Sequence, residues 1–355
     1  MKKTLIALAL FAAVSCGSAM PSREELLAQA VDSTLATYNL EQKVWQLLMV
    51  GTQELQDSLY PVGGVILFGY DVVDSAQLTH LADSIHAMPG QPLISIDEEG
   101  GRVARIGRNP AFNVPRIPPM GQVEKPQDAY LYGLTIGHYL SSFGIDIDFA
   151  PVADVNTNPE NIVIGDRAFS TMPEDASKKV VSFLQGLADE GVYSCVKHFP
   201  GHGDTKADTH YGYAQSLKTW DQMLECEMLP FRAGIGAGVK MVMTAHIAAP
   251  AVTGSDIPST LSYTMLTEKL REELGFEGVI ITDALRMGAI SKQYSSGEAA
   301  VLALKAGADW LLLPEDPADA FNSIMNAVES GELTEERIDE SVRRILELKL
   351  SKQIN

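Results

Sequence analysis

Eight short runs rich in valine, isoleucine and leucine recur along this chain, at residues 47–50, 64–68, 93–97, 145–150, 193–198, 240–246, 279–283 and 309–313. Most are apolar without alternation, as parallel strands are when both faces of their sheet are covered. Between most of them lie segments with apolar residues at three- and four-residue spacing, at 74–87, 128–143, 174–189, 219–233, 265–274 and 297–306. Two more helical patterns, 318–330 and 335–352, close the C-terminus. Asn39 with Gln42 has the form of a capping box that opens a helix into the first strand. Eight strands alternating with helices predict an α/β fold, a single-domain (β/α)8 barrel of TIM type, over its rival, an open doubly wound sheet. No long linker, repeat or low-complexity stretch divides the 355 residues into two units.

A barrel of this kind builds its active site from loops at the C-terminal ends of the strands. Here Asp97 ends the third run, Asp154 follows the fourth, and Lys197 and His198 end the fifth. His246 ends the sixth and Asp283 the seventh. The predicted topology therefore gathers these polar residues on one rim.

The segment from Lys197 to His210 concentrates this chemistry. It reads Lys197-His198-Phe199-Pro200-Gly201-His202-Gly203-Asp204-Thr205-Lys206-Ala207-Asp208-Thr209-His210 and holds three of the seven histidines. Asp208 and His210 fit a general acid/base pair in which the carboxylate orients the imidazole. A structural loop histidine is the competing reading. His198, His202 and His210 with Asp204 and Asp208 also invite a metal, although their spacings match no compact metal motif, and no metal is expected. Gly201 and Gly203 suggest a loop able to close over a ligand. Asp283 leaves an apolar strand as a candidate nucleophile, or else as the N-cap of the following helix. Asp97-Glu98-Glu99 followed by Arg102 and Arg105 is a charge run that suits either a solvated face or sugar hydroxyls.

The formal charge of −19 argues against nucleic acid and against basic-patch attachment to anionic lipid. Residues 1–20 read as a targeting segment, leaving 21–355 as the folded, catalytic domain. Lys2 and Lys3 precede an apolar run too short to span a bilayer comfortably. Ala13-Val14-Ser15-Cys16 resembles a bacterial lipoprotein box, which would place a lipid on Cys16. Cleavage after Ala19 is the competing processing reading. Export to the periplasm or to a membrane face is expected, with lipid on Cys16 as the sole anchor. Cys195 and Cys226 offer one possible disulfide and no framework, and Cys195 reads as a buried free thiol.

Taken together, Asp97-Glu98-Glu99-Gly100-Gly101-Arg102-Val103, Phe149-Ala150-Pro151-Val152-Ala153-Asp154, Ile164-Gly165-Asp166-Arg167-Ala168-Phe169, Pro258-Ser259-Thr260-Leu261-Ser262, the 197–210 segment and Thr282-Asp283-Ala284-Leu285 resemble the single-domain β-N-acetylhexosaminidases of glycoside hydrolase family 3. The resemblance implies a retaining exo-β-N-acetylglucosaminidase that removes terminal GlcNAc from peptidoglycan fragments or chitooligosaccharides. It implies Asp283 as nucleophile, His210 as acid/base and Asp208 as its partner. It further implies sugar binding by Asp97, Arg105, Arg167, Lys197 and His198, with no cofactor and a monomeric chain. Thr209 where serine is frequent, and Tyr213-Ala214 where Leu-Pro is common, are departures that bear on loop packing and substrate preference. The alternatives carried forward are a β-glucosidase or phosphorylase of the same family and a non-catalytic sugar-binding lipoprotein.

Overall fold

The computed structural model describes residues 20–55, 60–207 and 214–353. Among these, eight parallel strands form the main sheet: β1 (Leu48–Gly51), β2 (Gly64–Leu67), β3 (Leu93–Ile96), β4 (Ile147–Asp148), β5 (Tyr193–Phe199), β6 (Met241–Thr244), β7 (Val279–Ile281) and β8 (Leu311–Leu312). Each pairs with its successor from β1 to β7, and β8 pairs back onto β1 through Leu48–Leu311 and Met49–Leu312. The last gap is closed by a bridge between Ile281 and Trp310, where the amides of Asp309 and Trp310 both donate to the Ile280 carbonyl. The ring is the expected (β/α)8 barrel.

Nearly every strand residue is buried, which is why the runs read as continuously apolar. Six of the strands, β2, β3, β4, β6, β7 and β8, are shorter than their apolar runs. β4 stops before Pro151, which has no amide hydrogen to extend a ladder. β7 stops at Ile281, so Asp283 is turned off the ladder and onto the rim.

The Asn39–Gln42 capping box is present at the start of Leu40–Gln46, with reciprocal bonds of 2.9 and 3.0 Å. One predicted helix is two. The pattern over 219–233 divides into Trp220–Glu225 and Met228–Gly236. Pro230 lacks the N–H that a continuous helix would direct to the Cys226 carbonyl, and it sits instead in the first turn of the second helix. Helix Arg23–Leu35 opens on a capping box formed by Ser22 and Glu25. It forms because Val31 and Leu35 bury themselves, while Arg23 reaches the Ser351 carbonyl and Asp32 pairs with Arg343 on the C-terminal helix Glu335–Ser351. Helices Pro126–Ser142 and Pro173–Asp189 approach closely, because a Cβ on Gly133 would lie 2.3 Å from the Phe183 carbonyl oxygen. Cys195 and Cys226 are both free thiols, and Cys195 is buried in β5. No helix among the described residues is long and apolar enough to cross a membrane. Residues 1–19, with the proposed leader, Cys16 and Ala19, lie outside the described residues.

Candidate active site

At the C-terminal end of β5, Lys197 extends its Nζ between two acids of the loop after β3. It donates to Asp97 Oδ1 at 2.7 Å and lies 2.6 Å from Glu99 Oε1. Asp97 Oδ2 accepts from Arg105 Nη2 at 3.1 Å. Glu99 in turn receives two parallel bonds from Arg167, at 2.8 Å each, in the fork geometry that guanidinium and carboxylate favour. Burial alone would push the Lys197 ammonium down, but Asp97 and Glu99 outweigh it and raise it. Burial alone would raise the Glu99 carboxyl, yet Lys197 and Arg167 hold it at about 2. Lys197 and Glu99 therefore face each other as a charged pair at neutral pH.

His198 is fixed from both nitrogens. Its Nδ1 is 2.7 Å from Asp154 Oδ2, and a carboxylate can only accept, so Nδ1 carries the hydrogen. Nε2 then accepts from Arg167 Nη2 at 3.3 Å. Asp154 also accepts the main-chain N–H groups of His198 and His202, which ties the turn after β5 to the loop after β4. The Lys197–His198 and Phe199–Pro200 peptide bonds are cis.

The two loop glycines are packed, not free. A Cβ on Gly203 would lie 1.9 Å from the Val155 carbonyl oxygen, and one on Gly201 would lie 2.6 Å from Glu227 Cγ. Glu227 bonds Lys218, and Lys218 lies 3.6 Å from Asp204, which anchors the root of this loop. Beyond it, Lys206–Ala207 and Ala214–Gln215 pair antiparallel. Asp208 and His210 fall between them, outside the described residues.

Asp283 stands two residues beyond β7. The following helix is Gly288–Ser291 with Met287 at its N-cap, so Asp283 does not serve as that cap. Its Oδ1 accepts from the Ala284 N–H at 2.7 Å. His246, two residues past β6, bonds the Ala284 carbonyl through Nε2 at 3.0 Å and meets Thr260 Oγ1 through Nδ1 at 2.9 Å. Ala284 is thus held from both sides of its backbone, by the carboxylate it serves and by a buried imidazole. Burial would raise the Asp283 carboxyl, but His246, His198, the Ala284 N–H and Lys197 together hold it below the ordinary aspartate range. His246 is itself lowered by burial.

Under this rim, Glu98 is fully buried and organises the loop that carries Arg105. It accepts from the amides of Arg105, Ile106 and Gly107 and from the Tyr139 hydroxyl, all within 2.9 Å. Burial raises the carboxyls of Glu98 and, much further, of Asp148, whose Oδ1 accepts the Glu98 N–H. Arg105 keeps a buried Nε without a hydrogen-bond partner.

Residues 39–348 match the glycosyl hydrolase family 3 N-terminal domain. The chain belongs to glycosyl hydrolase family 3. It is 38% identical over 321 residues to a beta-hexosaminidase A of Pseudoalteromonas piscicida, covering 82% of this chain and 54% of that protein. It is 34% identical over 313 residues to a beta-hexosaminidase of Nitrosomonas eutropha, covering 84% of this chain and 88% of that one. Among solved structures, a family 3 beta-N-acetylglucosaminidase from Paenibacillus superposes with a TM-score of 0.83 at 39% identity, over 90% of this chain and 63% of that one. The chain thus spans just over half the length of the first of these relatives and under two thirds of the Paenibacillus chain.

Within this family 3 domain, five sequence-predicted residues, Asp97, Arg105, Arg167, Lys197 and His198, converge in one bonded network. Asp283 lies close enough to Lys197 and His198 to be tuned by them. Of the histidines and aspartates considered for a metal, His198 is taken up by Asp154, His202 by Thr205 at 2.8 Å, and Asp204 faces Thr157 and Lys218. The sequence places Asp154 and His246 on the rim without assigning them a partner, and it marks Glu98 and Glu99 only as part of the acidic run Asp97-Glu98-Glu99.

Proposed function

We propose that this family 3 chain is a retaining exo-β-N-acetylglucosaminidase, with Asp283 as nucleophile and His210, oriented by Asp208, as acid/base. The observation that carries the reading is Asp283 itself. It is a rim carboxylate free of any helix-capping duty and kept ionised beside a bonded cluster of Asp97, Lys197, Arg167 and His198. Such a cluster suits a ring of hydroxyls, since it presents carboxylates, an ammonium and guanidinium donors to one small volume. The names of the hexosaminidase relatives support the acetamido sugar.

In the first step an Asp283 oxygen forms a bond to the anomeric carbon as the bond to the leaving oxygen breaks. His210 gives its proton to that oxygen, and the leaving saccharide departs as an alcohol. In the second step water loses a proton to His210 while its oxygen displaces the Asp283 carboxylate, restoring the original anomeric configuration. Contacts of Asp97 and Lys197 with the hydroxyls strengthen as positive charge spreads over the ring. No cofactor takes part in this reading. The natural substrates we propose are GlcNAc-terminated peptidoglycan fragments or chitooligosaccharides, processed by a monomer exported to the periplasm or held on a membrane by lipid at Cys16.

The test is turnover of paired aryl β-N-acetylglucosaminide and β-glucoside, with the product anomer followed by NMR. Hydrolysis of the first with β-product supports the proposal, and inverted product overturns the mechanism. Phosphate-dependent release of sugar 1-phosphate would make the chain a phosphorylase, and binding without turnover would make it a lectin-like protein.

A further inference from the structure

The polar network occupies the rim above β3 to β7. The rim above β8, β1 and β2 has a different character. There the loop after β7 runs on from Asp283 to Arg286, whose amide bonds the Leu313 carbonyl at the end of β8. The Arg286 guanidinium lies over the Phe68 ring, 5.4 Å from its centroid, and Phe68 is stacked on Tyr70 at 5.5 Å with 19° between the planes. Glu54, after β1, lies 3.3 Å from the same guanidinium. Tyr70 is 56% exposed and Met287, next to Arg286, is 44% exposed. These large apolar groups face solvent on the same end of the barrel as Asp283.

Hydrogen bonds brace the turn that carries the two rings. Asp71 is buried, accepts the Phe68 N–H at 2.7 Å through Oδ2 and takes the Thr52 hydroxyl through Oδ1. Asn109 bonds the Val72 carbonyl at 2.7 Å, which ties the turn to the loop after β3 that also carries Asp97 and Arg105. An exposed aromatic held this firmly on a site rim is a surface prepared for a flat apolar partner.

We propose that Tyr70, with Arg286 and Glu54 beside it, forms the subsite for the leaving saccharide. The occupant is a neutral pyranose, whose C–H face stacks on the exposed ring while its hydroxyls meet the Arg286–Glu54 pair. The pair is close to neutral in sum, so it selects hydroxyls in preference to a carboxylate. Continuity with the nucleophile loop carries the assignment, because only two residues separate Asp283 from Arg286. The inference rests on the glycosidase reading above and gives it a leaving-group specificity.

The test compares the full chain with Tyr70→Ala and Tyr70→Phe on two substrates. One is the β-1,4-linked GlcNAc disaccharide, and the other is β-GlcNAc fluoride, whose leaving group cannot fill a sugar subsite. The ratio of kcat/KM for disaccharide over fluoride should fall about tenfold in Tyr70→Ala, the scale of one lost stacking contact, and recover in Tyr70→Phe. An unchanged ratio, whether both rates fall or neither does, overturns the subsite. If the unsubstituted chain cleaves neither substrate, the glycosidase reading falls and takes the subsite with it, an outcome distinct from an unchanged ratio in an active enzyme.

Discussion

The Nζ of Lys197 lies 2.6 Å from Oε1 of Glu99, and both side chains are only 2% exposed. Two buried charges this close are stable only as a pair, because removing one leaves the other desolvated without compensation. Arg167 shares the same carboxylate, so Glu99 holds two cations at once. Glu99→Gln should therefore cost roughly 3 kcal/mol of stability or more, and it should lower kcat/KM as Lys197 and Arg167 lose their alignment. Urea unfolding midpoints and steady-state kinetics measure both. An unchanged midpoint would mean that the pair does not hold the rim.

Asp154→Asn tests the orientation of His198. The amide has one acceptor where the carboxylate serves the His198 Nδ1 hydrogen and two main-chain N–H groups. Loss of a charge-assisted bond should lower kcat/KM roughly tenfold or more with a smaller effect on overall stability. Wild-type kinetics in the variant would assign Asp154 to packing alone.

His246→Leu removes the hydrogen bond to the Ala284 carbonyl and one of the groups that hold the Asp283 carboxyl down. A reaction needing ionised Asp283 loses rate as pH falls through its lowered pKa, so the acid limb of kcat/KM should lie below the ordinary aspartate value of about 3.9. In His246→Leu that limb should move upward, and kcat should fall with little change in KM. His246→Gln, which restores an amide donor near Nε2, should recover part of the rate. A pH–rate profile unmoved by His246→Leu would remove His246 from the positioning of the nucleophile.

Asp283→Ala should abolish turnover, while His210→Ala should spare aryl substrates, whose leaving groups need no proton, more than sugar substrates. Equal losses on both classes would contradict His210 as the acid.

Lys349, remote from the site, makes a stability prediction. Burial pushes its amine down to about 7, partly offset by Asp146, and its Nζ donates to Gln46 Oε1 at 2.6 Å and the Gly90 carbonyl at 2.8 Å. Between about 7 and the ordinary 10.5 the unfolded chain holds this proton and the folded one does not, so stability rises with pH across that window. The slope from this group is at most about 1.4 kcal/mol per pH unit. Relative to the native protein, Lys349→Met should show a flatter rise from neutral to alkaline pH in chemical denaturation. Parallel profiles for the two proteins would refute the buried neutral amine.

The sequence by itself determined the barrel, the strand order and the rim on which function sits. Apolar runs, helical spacing and the Asn39–Gln42 cap are local signals, and the strand ends follow from them. It also placed Asp97, Lys197, His198 and Asp283 at those ends. The tertiary structure alone decided which of these side chains meet. Lys197 and Asp97 are 100 residues apart, and Arg167 and Glu99 are 68 apart. No local pattern marks Glu99 as the partner of both cations, Asp154 as the orienter of His198, or His246 as the brace behind Ala284. The choice for Asp283 between helix cap and free carboxylate likewise depended on where the next helix began. Helix Arg23–Leu35 needed the C-terminal helix to bury its sparse apolar face. Local propensity sets which elements form, whereas pairing among buried charges is set by distances that exist only once the ring has closed.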